Sequence, residues 1–148
     1  MFVFAKSRCE SGTIVNQPRA TADAGHVLLV LDDDSAVRQS LKFALEIEGF
    51  EVRTYASPSE LLRDDDLPAF SCLIVDYHMP EMDGLDVIIR LRERRTPLHA
   101  VLITSHPSAS IRERARATGV PVIEKPFQGT ALTDCIDRLF DKPSKPPL

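Results

Sequence analysis

Three aspartates follow apolar runs of this sequence and could together bind a divalent cation. Asp32 and Asp33 come directly after the run at 27–31, and Asp76 ends the run at 70–76. If the two runs are neighbouring strands of one sheet, the three carboxylates converge on a small pocket. Carboxylates at such short distances repel one another and raise one another's pKa unless a cation neutralises them. Mg²⁺ is the expected ion, because it favours a few carboxylates, waters and a phosphate oxygen over a closed protein cage.

Two further polar residues occupy equivalent positions in the sequence. Thr104 ends the apolar run at 98–104, and Lys125 follows the run at 120–124. Taken singly, each of the five residues has an ordinary interpretation, such as a surface lysine, a strand threonine, a solvated strand end or a turn former. Their common position at the ends of apolar runs is what favours a functional site.

The elements that must position these residues alternate strictly between strand and helix. The predicted strands are 27–31, 51–56, 70–76, 98–104 and 120–124. The predicted helices are 35–48, 58–65, 85–94, 108–118 and 129–140. Continuous apolar runs are typical of strands buried on both faces, and apolar residues at helical spacing are typical of helices packed on a sheet. Gly49 and Gly119 are positioned to end the first and fourth helices.

This order predicts an α/β fold of the (βα)₅ type. Short loops and right-handed crossovers leave a doubly wound, flavodoxin-like parallel sheet with strand order 2-1-3-4-5 as the expected topology. In such a sheet, ligands bind beyond the carboxyl ends of the strands where the winding reverses. That point lies between the first and third strands, where the three aspartates are expected.

Length and composition limit the possible functions. The 148 residues predict one domain at 27–141, with a flexible extension at 1–26 (native, or the product of a wrongly chosen start codon) and a proline-rich tail at 142–148. The net charge of -4 argues against general capture of nucleic acid or anionic membrane. No apolar stretch is long enough to span a membrane, and the start is a poor signal peptide, so we expect a cytoplasmic protein.

The three cysteines are widely spaced and odd in number. Cys9, Cys72 and Cys135 form neither a disulfide framework nor a CxxC metal site, so reduced thiols are expected. Cys72 and Cys135 lie in apolar runs and are predicted to fill the core.

Four segments of the chain resemble the receiver domains of bacterial response regulators, the phosphorylation switches of two-component signal transduction. They are VLLVLDDDSAVRQSL at 27–41, LIVDYHMPEMDGLDVI at 73–88, VLITS at 101–105 and VIEKPF at 122–127. The similarity extends over about 27–141, and the motifs are specific in combination.

The resemblance implies a role for each candidate residue at the metal site. It implies that Asp76 is the phosphoacceptor and also a ligand of Mg²⁺. Asp33 would be a direct ligand, and Asp32 would act mainly through water. The backbone carbonyl of His78 would complete the protein ligands.

The resemblance also implies how the phosphoryl group is bound and how it acts. Lys125 would pair with the phosphoryl oxygens, and Thr104 would donate a hydroxyl hydrogen bond to them. Drawing Thr104 inward would shift the loop and helix after the fourth strand. In many relatives an aromatic residue three places before the lysine moves as well. Here that residue is Val122, and the loop at 119–121 is one residue shorter than usual.

The resemblance further implies a single-domain response regulator that is a switch and not an enzyme. The expected partners are a sensor histidine kinase or a histidine phosphotransfer protein, which donates the phosphoryl group, and a downstream protein target in trans. Neither nucleic acid nor membrane is an expected direct partner, and whether the protein is a relay or an effector stays open.

Three other functions are alternatives to a phosphorylation switch. A receiver-like docking module that works without phosphorylation is compatible with Val122 and the short loop at 119–121. A haloacid-dehalogenase-like phosphatase could use Asp32 and Asp34, but it leaves the segment DYHMPEMDG at 76–84 unexplained. A flavodoxin-like electron carrier would need a Ser/Thr/Gly-rich phosphate loop where this chain has three aspartates.

The remaining polar residues near the pocket have simple expected roles. Asp34 and Asp83 are predicted N-caps of the first and third helices. His78 and His106 are either two exposed loop histidines or side chains that flank the phosphoryl group and set its lifetime. 

The fourth helix carries three arginines, which are Arg112, Arg114 and Arg116. A solvated face is the expected explanation, and a docking face is the alternative.

Overall fold

Five strands alternate with five helices in the computed structural model, which describes residues 26–68, 70–94, 98–126 and 131–141. The strands are β1 (His26–Leu31), β2 (Glu51–Tyr55), β3 (Phe70–Asp76), β4 (His99–Thr104) and β5 (Val122–Glu124). The helices are α1 (Ser35–Ile47), α2 (Pro58–Leu62), α3 (Gly84–Arg94), α4 (Ala109–Thr118) and α5 (Ala131–Asp141). The predicted tail, Cys9 and all of the predicted extension except residue 26 lie outside the described residues.

The sheet is parallel throughout and has the strand order β2-β1-β3-β4-β5, which confirms the predicted topology. β3 lies in the middle, paired with β1 on one side and β4 on the other. The register pairs Leu31 with Val75 and Asp76 with Ile103. The carboxyl ends of these three strands therefore finish side by side at one edge of the sheet.

The strand side chains divide the core into two apolar layers because successive residues of a strand point to opposite faces. Leu29 and Val75 belong to the layer covered by α2, α3 and α4. Leu28 and Ile74 belong to the layer covered by α1 and α5. Both layers are fully covered, which explains why the central strands are continuously apolar.

The described cysteines are part of this core, as predicted. Cys72 on β3 and Cys135 on α5 have reduced thiols, and both are buried in the layer beneath α1 and α5. Among the described residues, no helix has the length and apolar character needed to cross a membrane.

The helix ends follow the predicted capping chemistry. The Asp34 carboxylate accepts hydrogen bonds from the amides of Ala36 and Val37 at the start of α1. Gly119 caps the carboxyl end of α4 with φ of 74°, a left-handed conformation that a glycine adopts without steric cost.

Two predicted elements are too long. The second helix was predicted at 58–65, but α2 ends at Leu62. Beyond it, the Asp64 carboxylate accepts a hydrogen bond of 2.7 Å from the Tyr55 hydroxyl, a tertiary contact that draws the chain out of helical geometry. The last strand was predicted at 120–124, but β5 has three residues, Val122–Glu124. The predicted start of the last helix at 129 and 130 lies outside the described residues.

Candidate functional site

The three candidate metal-binding aspartates meet at the edge of the sheet. Asp32 follows β1, and Asp76 is the last residue of the adjacent strand β3. One carboxylate oxygen from each of Asp32, Asp33 and Asp76 lies within 4.8 Å of the others. The convergence expected from neighbouring strand ends is therefore present.

The three carboxylates differ in their exposure to solvent. Asp32 is 1% exposed and Asp76 is 8% exposed, whereas Asp33 is exposed. One oxygen of Asp32 accepts a hydrogen bond of 2.9 Å from the Asp34 amide. Its other oxygen, Oδ2, is buried and has no hydrogen-bond partner among the described residues.

Burial makes the ionised forms of both inner carboxylates unfavourable. It raises the pKa of Asp32 above the ordinary value, and the amide of Asp34 and the charge of Lys125 offset part of that rise. Burial and the neighbouring charge of Asp32 likewise raise the pKa of Asp76, again partly offset by Lys125. Two buried carboxylates in contact need positive charge to stay ionised.

Lys125 supplies part of that charge. Its Nζ atom lies 3.4 Å from Oδ1 of Asp76 and 3.6 Å from Oδ2 of Asp32. The second distance is an ion pair and is too long for a hydrogen bond, so Oδ2 of Asp32 keeps a lone pair free for another cation. The Lys125 amide donates to the Thr104 carbonyl at 2.9 Å, which fixes the lysine beside β4.

Thr104 contributes a hydroxyl that faces no protein partner. The residue is 0% exposed, and its Oγ1 has no hydrogen-bond partner among the described residues. It ends β4, whose Ile103 pairs with Asp76. A buried hydroxyl without a partner costs about 1–3 kcal/mol, so this donor is available to a group that binds at the sheet edge.

The donor set fits a magnesium ion. The three neighbouring carboxylates provide hard oxygen ligands. One of them has a buried oxygen without a partner among the described residues, and another is exposed, which leaves an open side for water. Soft or nitrogen ligands are not part of this cluster, so the metal chemistry matches Mg²⁺ rather than Zn²⁺.

The loop after Asp76 is held tightly in place. The Tyr77 amide donates to the Ile103 carbonyl at 2.9 Å, and the Gly84 amide donates to the Tyr77 carbonyl at 3.0 Å. A Cβ atom on Gly84 would lie 2.6 Å from the Asp76 carbonyl oxygen, so only glycine fits this first residue of α3. The Asp83 carboxylate accepts from the Asp86 amide at 2.9 Å, as expected of an N-cap.

Glu81 ties the same loop to α2. Its φ of 74° is unusual for a residue with a side chain. Its carboxylate accepts hydrogen bonds from the Ser59 amide at 3.2 Å and from the Ser59 hydroxyl at 2.8 Å. These contacts hold Glu81 in its left-handed conformation.

Sequence reasoning missed Arg114. This side chain is 41% exposed, but it is also paired, because its guanidinium lies 3.1 Å from the Asp83 carboxylate and 3.3 Å from that of Asp86. Arg112 and Arg116 are exposed, as expected. The available signal was the position of Arg114 next to the buried stripe of α4, formed by Ile111 and Ala115.

The two loop histidines and Val122 agree with their plainest interpretations. His78 and His106 are exposed, and the His78 ring makes an edge contact with Tyr77 at 4.9 Å. Val122 is half-buried against the core. Whether either histidine affects a phosphoryl group stays a prediction.

An apolar cavity of about 780 Å³ opens beside the acidic cluster. Its walls come from α1, including Val37 and Leu41, and from Lys125 and Pro126 on the opposite side. Further along α1, Phe43 and Ile47 are 68% and 67% exposed. A large apolar surface therefore borders the approach to Asp76.

Known proteins resemble this chain in sequence. Residues 28–137 match a family model described as the response regulator receiver domain. The transcriptional regulatory protein FixJ of Bradyrhizobium diazoefficiens is 34% identical over 116 residues, covering 76% of this chain and 55% of that protein. The chain spans about half the length of the curated relatives it matches.

Solved structures agree with the fold. A response regulator receiver domain protein from Clostridium thermocellum has a TM-score of 0.73 and 28% identity, over 79% of this chain and 94% of that one. The response regulator TrrA from Thermotoga maritima, solved in complex with Mg(2+)-BeF, has a TM-score of 0.67 and 25% identity. That match covers 78% of this chain and 98% of TrrA.

Proposed function

This chain belongs to the response regulator receiver domain family, and from that membership we propose that Asp76 accepts a phosphoryl group with the help of Mg²⁺. The observation that carries the proposal is the surroundings of the Asp76 carboxylate. It lies within 4.8 Å of the carboxylates of Asp32 and Asp33, and its Oδ1 lies 3.4 Å from the Lys125 ammonium.

The metal ligands in this proposal are Asp32, Asp33, Asp76 and the backbone carbonyl of His78. The carboxylate cluster and the orphaned oxygen of Asp32 support the first three. The carbonyl is proposed from the family resemblance. When bound, Mg²⁺ neutralises negative charge that builds on the transferred phosphoryl oxygens.

The chain's own part in the reaction is to supply the nucleophile and hold it in place. A carboxylate oxygen of Asp76 forms the new O–P bond as the N–P bond to a donor histidine breaks, and the electron pair of that bond stays on the imidazole nitrogen. Asp76 must be ionised to attack, and Lys125 favours the ionised form. Position and charge account for the catalysis, because phosphoryl transfer needs little other covalent chemistry.

After transfer, the new phosphoryl oxygens need partners at the sheet edge. Lys125 lies on one side of Asp76 and offers a point charge. The unpartnered hydroxyl of Thr104 offers a hydrogen bond. Satisfying that hydroxyl draws Thr104 toward Asp76, and the loop after β4 follows it.

The donor in this proposal is a sensor histidine kinase or a histidine phosphotransfer protein, and the location is the cytoplasm. The apolar cavity lined by Lys125 supports a protein donor, because it offers apolar contact area beside the residue that pairs with Asp76. The output in this proposal is a protein contact in trans, made by the switched surface of the receiver domain. The net charge of -4 supports this output over direct binding to nucleic acid.

The test is the intact mass of the purified protein after incubation with acetyl phosphate and Mg²⁺. We expect one phosphoryl adduct on the wild type, none on Asp76→Asn, and none when EDTA removes the metal. Asp66→Asn serves as the matched control, because Asp66 is an exposed aspartate on the loop after α2, outside the acidic cluster. It should take up the adduct as the wild type does.

A folded wild-type protein that binds Mg²⁺ and takes up no phosphoryl group would contradict the proposal. That result would favour a docking module that acts without phosphorylation. Turnover of a phosphomonoester would instead indicate a phosphatase.

A further inference from the structure

Arg114 connects α4 to the segment that follows Asp76. Its guanidinium lies 3.1 Å from Oδ2 of Asp83, 3.3 Å from Oδ1 of Asp86 and 3.3 Å from the Tyr77 hydroxyl. One side chain of α4 therefore bonds three acceptors within ten positions of Asp76.

The charges in this cluster act together. Burial alone would raise the pKa of Asp83, but the Asp86 amide and the Arg114 guanidinium hold it below its ordinary value. The hydrogen bond with Asp83 raises the pKa of Arg114 in turn. An isolated surface ion pair contributes little to stability, and a planar guanidinium shared by two carboxylates and a hydroxyl contributes more than such a pair.

Other described contacts also hold α4 in place. The helix buries the apolar side chains of Ile111 near its start and Ala115 in its second half. At its carboxyl end, Arg92 of α3 donates to the Thr118 carbonyl at 2.6 Å. The amino-terminal half of α4 follows directly from the loop that begins at Thr104, the residue expected to move on phosphorylation.

We propose that Arg114 is a positioning residue that fastens α4 to the β3–α3 loop in the resting state and must loosen when Asp76 is phosphorylated. The inference rests on the proposed phosphorylation of Asp76. Phosphorylation moves Thr104 and the start of α4 toward the sheet edge, while Asp83 stays fixed as the N-cap of α3. The distances from the guanidinium to its acceptors then change, so the contacts of Arg114 favour the resting arrangement.

Thermodynamic linkage gives the consequence for ligand binding. A contact that stabilises the resting arrangement weakens binding of anything that selects the switched one, by the same factor. Removing Arg114 should therefore tighten the binding of a phosphoryl analogue. A half-exposed ion pair contributes modestly to stability, so we expect an effect of up to about fivefold.

The test compares Arg114→Gln with Arg116→Gln in the full chain. Arg116 is the matched control, because it lies on the same helix and pairs with Glu113 of that helix at 2.5 Å. The first measurement is amide hydrogen exchange of 109–118 in the unmodified protein, where Arg114→Gln should speed exchange and the control should not. The second is titration with beryllofluoride and Mg²⁺, where Arg114→Gln should bind more tightly than the wild type, by up to about fivefold.

A second pair of variants keeps the test decisive if Arg114→Gln does not fold. Asp83→Asn keeps an oxygen that can cap α3 and removes the charge that pairs with Arg114, so it should show the same two effects. Arg114→Lys keeps a positive charge but loses the planar guanidinium that can bind several acceptors at once. We expect its exchange rate and its affinity for beryllofluoride to lie between those of the wild type and Arg114→Gln.

Three results would overturn the inference. Unchanged exchange in α4 would mean that Arg114 does not hold the helix, and faster exchange with unchanged analogue affinity would mean that the contact is structural only. Failure of the wild type to bind beryllofluoride while it binds Mg²⁺ would count against phosphorylation of Asp76 and remove the switch role as well. The exchange measurement needs no phosphoryl group, so the two failures are distinguishable.

Discussion

The Lys125 ammonium lies 3.4 Å from the Asp76 carboxylate, and the same ammonium is 3.6 Å from the buried carboxylate of Asp32. One cation therefore serves two buried anions. This imbalance makes the acidic cluster unfavourable for folding and favourable for binding metal.

The first prediction concerns the stability of the metal-free protein. Burial raises the pKa of Asp76 and Asp32, so their ionised forms destabilise the folded state. Asp76→Asn should raise the free energy of unfolding in EDTA at pH 7, because the neutral amide carries no charge for burial to disfavour. Urea unfolding followed by circular dichroism measures it, with Asp66→Asn as the control.

The pH dependence of that difference has a definite sign. A carboxyl whose folded pKa is raised keeps its proton more tightly in the folded state, so stability falls as pH rises from the ordinary value of 3.8 through the folded pKa. The difference in the free energy of unfolding between Asp76→Asn and the wild type should therefore grow as pH rises above 3.8 and then level off. Mg²⁺ should reduce this difference by stabilising the wild type, since a ligand at a hundred times its dissociation constant adds about 2.7 kcal/mol. A difference that is the same at every pH would refute this account.

The second prediction concerns Lys125. Lys125→Gln removes the positive charge that favours ionised Asp76, so the pKa of Asp76 should rise further. Phosphorylation by acetyl phosphate should become slower at pH 7, and its pH–rate profile should shift to higher pH. Lys42→Gln is the control, because Lys42 pairs with Glu46 on the surface of α1. Equal profiles for wild type and Lys125→Gln would exclude a role for Lys125 in ionising Asp76.

The third prediction separates folding from switching at Thr104. Its hydroxyl is buried and has no partner in the part of the chain that the structure describes, so Thr104→Val should leave the stability of the unmodified protein unchanged or raise it by about 1 kcal/mol. The same variant should abolish the change in α4 hydrogen exchange that beryllofluoride produces in the wild type, and Thr104→Ser should retain it. If Thr104→Val responds to beryllofluoride as the wild type does, the hydroxyl is not the link between Asp76 and α4.

The fourth prediction concerns the two exposed histidines. An imidazole beside the phosphoryl group can orient or deprotonate an attacking water. His78→Ala and His106→Ala should then lengthen the lifetime of the phosphorylated protein by about tenfold, below the 10²–10⁴-fold of a full general base. Decay of the adduct followed by intact mass measures this lifetime. An unchanged decay rate in both variants would leave two loop histidines with no part in the chemistry.

The sequence was sufficient for the sheet and for the meeting of the acidic residues. Continuous apolar runs identify strands buried on both faces, and their alternation with helices leaves few topologies. Once β1 and β3 are neighbours, the residues that follow them must lie together, which places Asp32 beside Asp76. These features depend on local pattern and on general rules of connection.

Features that depend on individual side-chain contacts between distant segments could not be predicted. The end of α2 at Leu62 reflects the hydrogen bond between Tyr55 and Asp64. The acidic run at 64–66 gives no sign in the sequence that this hydrogen bond forms. Arg114 and Asp83 are 31 positions apart, and their contact requires the packing of α4 against α3. Helical periodicity alone leaves Arg114 at the edge of the buried stripe, where it could face either solvent or a neighbouring helix.

The close approach between Gly84 and Asp76 determines which part of the pocket can respond to a modification. The Asp76 carbonyl has α3 directly behind it, with space for a hydrogen atom and none for a methyl group. The main chain of Asp76 has no room to recoil in that direction when its side chain gains bulk and charge. The pocket therefore adapts where α3 does not support it, at Thr104 and the loop after β4, and a bound group draws that part of the chain inward instead of displacing Asp76.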